Sequence, residues 1–252
     1  MPDTRLFTPR FLVMCGFTFT VFLSAFQLLP TAPVHILALG GSTFASGLFL
    51  GFLTYSSASS APFTGAFADR IGARNVMIGS SVAIAIFSVG YGWIPDYRVM
   101  LALVLVHGVF WSGLLSASAA YLTHFLPEDR RAEGVAYWGL SSVAAIAVAP
   151  PIGFWVLRFG WTTLCIESAV LNVGMLGIAL TLPPQETSAG PRAHATRHVE
   201  WRVLVLSLTL FLCSFGYGGA TSFTALYAAA NGVSPQALYL TALAVVILVT
   251  RP

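Results

Sequence analysis

The feature that most constrains this chain is a series of long stretches without Asp, Glu, Lys or Arg. The longest has 58 residues, and one of the six contains a single acid, Glu167; the stretches are residues 11–68, 75–95, 99–127, 134–157, 159–185 and 203–250. A helix needs about 20 nearly uncharged residues to cross the hydrocarbon core of a bilayer. Only 8% of the chain is charged, whereas soluble domains carry roughly a quarter charged residues. The sequence therefore predicts an all-α membrane protein that crosses the bilayer several times.

The two longest stretches are interrupted by residues that typically form turns. Pro30, Pro33 and the Gly40-Gly41 pair lie in the first, and the segment 231–235 lies in the last. Proline and glycine commonly mark such interruptions, so each long stretch is expected to hold two helices. The sequence predicts eight helices, over residues 11–30, 43–66, 75–94, 99–124, 134–157, 161–182, 203–229 and 236–251.

A polar segment divides these helices into two groups. Residues 183–202 are rich in Pro, Ala, Arg and His and are expected to form a cytoplasmic linker. Residues 1–182 would then form a six-helix bundle, and residues 203–252 would begin a second bundle with helices 7 and 8. Helix 8 has 16 residues, or about 24 Å, which barely crosses the hydrocarbon. The chain is therefore expected to be truncated within its second bundle.

The basic residues predict the orientation. All 12 are Arg, and a cytoplasmic N-terminus places ten of them on the cytoplasmic side, where basic residues are retained. We expect a multi-pass protein of the inner membrane with a cytoplasmic N-terminus. A net charge of +3 is too small for a nucleic-acid partner. The three cysteines have no spacing typical of metal ligands or disulfides, so no metal or cofactor is expected.

The most specific motif follows the second helix, at residues 65–74. It resembles the pattern G-x-L-A-D-R-x-G-R-R of the major facilitator superfamily, a large family of secondary transporters. Phe67 and Ala73 depart from the pattern, and the matching residues are Gly65, Ala68, Asp69, Arg70, Gly72 and Arg74. The resemblance extends over the chain and implies a bundle of the major facilitator type, with a six-helix N-terminal half and two helices of the second half.

The resemblance also implies a role for the 65–74 motif. In the family this loop holds the two halves together on the cytoplasmic side while the cavity faces outward. Glycine suits a tight turn between helices, and a carboxylate such as Asp69 is favoured beside a helix N-terminus. Gly65, Asp69, Arg70, Gly72 and Arg74 are therefore expected to act as a reversible latch. The alternative is a charged turn that only fixes orientation.

Helix 4 resembles a second family motif, R-x-x-Q-G. Val104 stands in place of the arginine and His107 in place of the glutamine, so the proton role of that arginine does not carry over. The family implies that helices 1, 4 and 7 line the path of the solute, with Gln27, His107, Trp111 and Tyr217 as cavity contacts. His107 could instead be a structural residue bonded to a neighbouring helix.

Two ionisable side chains lie well within the predicted spans, and both are candidates for proton coupling. His107 titrates in the physiological range as a residue type, and intramembrane ionisable groups are usually functional. Glu167 lies six residues inside helix 6, where an unpaired carboxylate is costly. Arg158, at the end of helix 5, is its expected partner if the pair is structural.

The resemblance implies a secondary transporter that exports a small solute in exchange for protons by alternating access. Helix 5 resembles a motif of drug and proton antiporters, G-x-x-x-G-P-x-x-G-G, which Pro150 and Gly153 match while Ala145, Ala149 and Phe154 replace three of its glycines. The expected partners are the solute, protons and the lipid bilayer. The alternative is a non-transporting remnant or a membrane interaction module. An enzyme is not expected, since the chain lacks the G-x-S-G and H-E-x-x-H motifs and a pair of carboxylates on one helix face.

Overall fold

The computed structural model describes residues 6–184, 201–234 and 238–250. These residues form eight α-helices and one short 3-10 turn, at Glu128–Arg130. The all-α fold agrees with the prediction. The helices are α1 (Pro9–Ala38), α2 (Thr43–Ile71), α3 (Ala73–Trp93), α4 (Tyr97–Phe125), α5 (Arg131–Leu157), α6 (Trp161–Thr181), α7 (Trp201–Ala230) and α8 (Leu238–Thr250).

Five helical segments in the described part of the chain are long and apolar enough to span a membrane. They are α1, α3, α4, α6 and the segment Glu128–Leu157, which contains α5. Helix α2 is as long as α4 but is richer in Ser, Thr and Gly, and α8 is a shorter apolar helix. The protein is therefore a multi-pass membrane protein.

The first helix is longer than predicted. Pro30 and Pro33 were expected to end it, but α1 continues through both and ends at Ala38. Pro30 and Pro33 leave the carbonyls of Phe26 and Leu29 without their usual helical donor, and Thr31 Oγ1 donates to the Gln27 carbonyl between them at 2.6 Å. Proline is tolerated in membrane helices when neighbouring groups satisfy the freed carbonyls. The glycine pair does mark the turn, with Gly40 at a positive φ of 82°.

The second helix also extends beyond its predicted end, from residue 66 to Ile71. Only Gly72 separates it from α3, and its φ of 91° lies in a region that side chains with a Cβ rarely adopt. The 65–74 motif was expected to form a loop. Most of it instead lies on the last turns of α2, and the turn itself is one glycine.

Helices α1 to α6 pack as three main pairs, α1 with α5, α2 with α4 and α3 with α6. Two hydrophobic clusters fill the bundle. Met14 and Leu114 belong to one, and Phe49 and Met100 belong to the other. Helix α7 packs mainly against α1, and α8 packs against α5.

The predicted linker lies largely outside the described residues. Residues 185–200, with Arg192 and Arg197, are not described, and neither are Arg5 and Arg251. The division into 1–182, 183–202 and 203–252 therefore stays a prediction.

Candidate functional site

A cavity of about 670 Å³ lies between α2 and α7. Ligand sites in proteins commonly have volumes of roughly 300–1,000 Å³. The lining residues are Gly47, Leu50, Gly51, Thr54, Tyr55 and Ala58 of α2 and Phe211, Ser214, Gly218, Gly219 and Phe223 of α7. None of these described lining residues is charged. The cavity therefore presents aromatic rings and hydroxyl groups, which suit a largely apolar solute with a few hydrogen-bonding groups.

The four predicted cavity contacts are not among the lining residues of this cavity. Tyr217 lies on α7 beside Gly218, and its side chain is exposed. His107 and Trp111 lie within the six-helix bundle, on a separate small cavity. Gln27 is fully buried and contacts α6. Sequence reasoning missed the α2 face of the large cavity, although the run of Gly, Ser and Thr in α2 was a visible signal.

His107 is bonded to a neighbouring helix. Its Nδ1 lies 2.9 Å from the hydroxyl of Tyr91 on α3, and its ring stacks on Phe87 with centroids 5.3 Å apart. Tyr91 is itself fully buried, so the pair is enclosed between α3 and α4. This arrangement holds the imidazole in one orientation and leaves its second nitrogen for another partner.

A cavity of about 20 Å³ adjoins His107 inside the bundle, between α1, α3, α4 and α6. Ser24, Trp111 and Asn172 also line it. The space is about the volume of one water molecule, but most of its lining is apolar. Asn172 Nδ2 donates to Ser88 Oγ at 2.9 Å, so the few polar groups at this space, Ser24, His107 and Asn172, lie among apolar side chains of the bundle. A single sequence does not reveal this group, because its members come from four helices.

Glu167 is paired with Gln27, not with Arg158. Gln27 Nε2 donates to Glu167 Oε1 at 3.2 Å, and no ion pair joins Glu167 to Arg158 in the described part of the chain. Arg158 directly follows the last residue of α5, whereas Glu167 lies more than one turn inside α6. The predicted partner was therefore wrong, and the carboxyl group is held by an amide between α1 and α6.

The residues of the 65–74 motif occupy different environments. Asp69 and Arg70 are exposed in the last turn of α2, Gly72 forms the turn, and Gly65 lies within α2. Arg74, in the first turn of α3, donates through Nη2 to the carbonyl of Leu180 at 2.9 Å. A cation near the C-terminus of a helix interacts favourably with its unpaired carbonyls. Arg74 thus ties α3 to α6 within the bundle, and the exposed part of the motif is Asp69 and Arg70.

Comparison with known proteins identifies the family. The family model described as Major Facilitator Superfamily matches residues 10–252. The multi-drug resistance efflux pump PmrA of Streptococcus pneumoniae is 25% identical over 229 residues, which cover 86% of this chain and 57% of PmrA. The multidrug export protein EmrB of Escherichia coli is 24% identical over 164 residues, 64% of this chain and 30% of EmrB.

The fold agrees with this match. The crystal structure of a D-xylose-proton symporter superposes with a TM-score of 0.66 at 15% identity, over 95% of this chain and 66% of the symporter. The chain spans little more than half the length of PmrA. The match of the family model over nearly the whole sequence and the likeness of the fold lead to one conclusion: the chain belongs to the Major Facilitator Superfamily of transporters.

Proposed function

We propose that this chain forms part of a proton-coupled transporter that exports a small, largely apolar solute. The observation that carries the proposal is the α2–α7 cavity, which has the volume of a ligand site and an uncharged lining. It lies between the six-helix bundle and the first helix after the predicted linker. Relatives named as multidrug efflux pumps support export as the direction.

Asp69 and Arg70 are proposed to control the alternation between outward and inward access. Both side chains are exposed at the end of α2, the helix that lines one wall of the cavity. A charged contact made there in one state and broken in the other would change the relative stability of the two states. Arg74 serves a different purpose in this scheme, because its bond to α6 keeps the end of α3 in place.

His107 and Glu167 are proposed to couple transport to protons. His107 is buried against Tyr91 beside a small internal cavity, and its imidazole is a residue type that can exchange a proton in the physiological pH range. Glu167 is half-buried and bonded to an amide, which allows either protonation state to be held. Neither side chain touches the α2–α7 cavity, so the coupling would act through helix movement.

The arginine distribution supports placing the N-terminus and the linker in the cytoplasm. With the bundle in that orientation, the α2–α3 turn faces the cytoplasm and the His35 end of α1 faces outward. The inner membrane is the compartment in which an exporter of this orientation would work.

The test is to fill the cavity without disturbing the helices. A Cβ added at Gly51 meets nothing within 4 Å, so Gly51→Leu should place its side chain in the cavity. Gly79 of α3 has the same open surroundings but lies away from the cavity, so Gly79→Leu is the matched control. Both variants should be measured for dye export in a bacterial strain that lacks its own efflux pumps. Gly51→Leu should reduce export at least tenfold, and equal export by both variants would contradict the proposal.

A further inference from the structure

We propose that Gln27, Glu167 and Ser168 form a sodium-binding site between α1 and α6. The inference deepens the proposed function at Glu167, since it names an ion that would compete with the proton for that carboxylate. Ion binding itself does not depend on transport, and it can be measured separately.

Three buried oxygen atoms at this contact have no hydrogen-bond partner among the described residues. They are Gln27 Oε1, Glu167 Oε2 and Ser168 Oγ. The side chains of Gln27 and Ser168 are fully buried. Buried polar atoms in native proteins nearly always have a partner. Three such atoms on one pair of helices are therefore the groups from which we infer a shared ligand.

Ser168 differs from three other buried serines of the bundle. Ser81, Ser88 and Ser118 donate to a carbonyl one turn earlier in their own helix, at 2.7, 3.0 and 2.8 Å. Serine in a membrane helix commonly satisfies its hydroxyl in this way. The Ser168 hydroxyl makes no such bond, so its oxygen is available to a ligand.

The register of the two helices brings these groups to one contact. Gln27 Nε2 lies 3.2 Å from Glu167 Oε1, and Ser24 Oγ lies 3.5 Å from the Ser168 carbonyl. Ser24 and Gln27 are three residues apart and share a face of α1, while Glu167 and Ser168 are neighbours on α6. Residues that carry carboxylate, amide and hydroxyl oxygens thus lie at a single level of the α1–α6 contact.

The chemistry of this group favours a monovalent cation. Carboxylate and carbonyl oxygens are hard ligands that suit hard cations, and the single carboxylate balances one positive charge. A divalent ion would leave a net positive charge within the membrane, which is costly. A proton on Glu167 could satisfy Glu167 and Gln27 but would leave the Ser168 hydroxyl without a partner. The half-buried position of Glu167 provides a route of entry.

The test is thermal unfolding of the purified full chain in detergent, with choline chloride replaced by sodium chloride at constant ionic strength and pH. An ion that binds only the folded state raises the unfolding temperature in a saturable manner. We expect this response in the wild type, and at least a tenfold higher half-maximal sodium concentration in Glu167→Gln and Ser168→Ala. Ser168→Ala removes one hydroxyl and keeps the test valid should Glu167→Gln fail to fold.

Matched controls separate the site from general effects of these substitutions. Glu133→Gln removes an exposed carboxylate that pairs with Arg130, and Ser118→Ala removes a hydroxyl bonded within its own helix. Both should retain the wild-type sodium response. Equal unfolding temperatures in sodium and choline, an equal rise with potassium, or loss of the response in the controls would overturn the proposal. A sodium response without solute export would refute the proposed function alone, and export without a sodium response would refute the ion site alone.

Discussion

The contact between α2 and α4 offers a quantitative test of the fold at Gly108. A Cβ added there would lie 2.5 Å from the carbonyl oxygen of Leu53 and would overlap the hydroxyl of Ser56. Close carbon–oxygen contacts between helices are about 3.3 Å, so Gly108→Ala would require the backbones to separate by about 0.8 Å. Because membrane helices associate largely through close packing, this separation should weaken the packing of α2 against α4 along its length.

The size of the effect follows from two opposing contributions. Overpacking of a well-packed contact costs about 1–3 kcal/mol, and alanine gains about 1 kcal/mol over glycine in a helix. Gly108→Ala should therefore lower the free energy of unfolding by up to about 2 kcal/mol. Gly79→Ala is the matched control, since its Cβ meets nothing within 4 Å, and it should be neutral or stabilising by up to about 1 kcal/mol.

The assay is thermal unfolding in detergent, followed by tryptophan fluorescence. The unfolding temperature of Gly108→Ala should be lower than that of Gly79→Ala by about 2–12 °C. Ser56→Ala combined with Gly108→Ala should remain destabilised, because the Leu53 carbonyl is still in the way. Equal stability of Gly108→Ala and Gly79→Ala would refute the close approach of α2 and α4. Full recovery of stability in the Ser56→Ala, Gly108→Ala double variant would show that the added Cβ clashes only with the Ser56 side chain and not with the Leu53 carbonyl.

Four further predictions concern transport and topology. Asp69→Asn should leave the amount of protein in the membrane unchanged and reduce export about tenfold, since it removes the charge at the end of α2; unchanged export would remove the latch role. His107→Gln should retain solute binding and flatten the pH dependence of export between about pH 5.5 and 7.5, and an unaltered profile would exclude His107. Glu167→Gln should abolish proton-driven exchange in loaded vesicles but permit downhill movement of the solute, whereas normal exchange would exclude Glu167. In a chain without its native cysteines, Asn231→Cys should react with an impermeant reagent in intact cells and Arg192→Cys should not; the reverse result would invert the topology.

The absence of charge was sufficient to locate the helices, because an unpaired charge in hydrocarbon is costly enough to decide where a span can lie. The absence of charge could not locate the ends of the helices. Helix α1 passes through the buried Pro30 and Pro33, at positions where charge gives no information. Helix α2 continues through Asp69 and Arg70, because a helix that leaves the membrane can continue into water. Charge marks the limit of the hydrocarbon, and the last helical residue is set by local caps such as Gly72.

The partners that His107 and Glu167 contact could not be predicted from one sequence. His107 stood out by its residue type, but Tyr91 is 16 positions away on another helix. Arg158 was chosen for Glu167 because it is near in sequence and opposite in charge. The partner is Gln27, 140 positions away, because α6 packs against α1. Residue type thus identified candidate groups, and helix adjacency determined what they contact.

The positions of the polar groups constrain how an ion could drive solute movement in this molecule. Glu167 and His107 lie on contacts between helices of the six-helix bundle, whereas the lining of the α2–α7 cavity carries no charge among its described residues. An ion and a solute bound at these places would not touch. Helix α1 connects them, since it holds Gln27 at the α6 contact and packs against α7, which forms one wall of the cavity. On the proposed mechanism, an ion bound at Glu167 would change the position of α1 against α6. Because α1 packs against α7, that movement would alter the wall of the solute cavity that α7 forms.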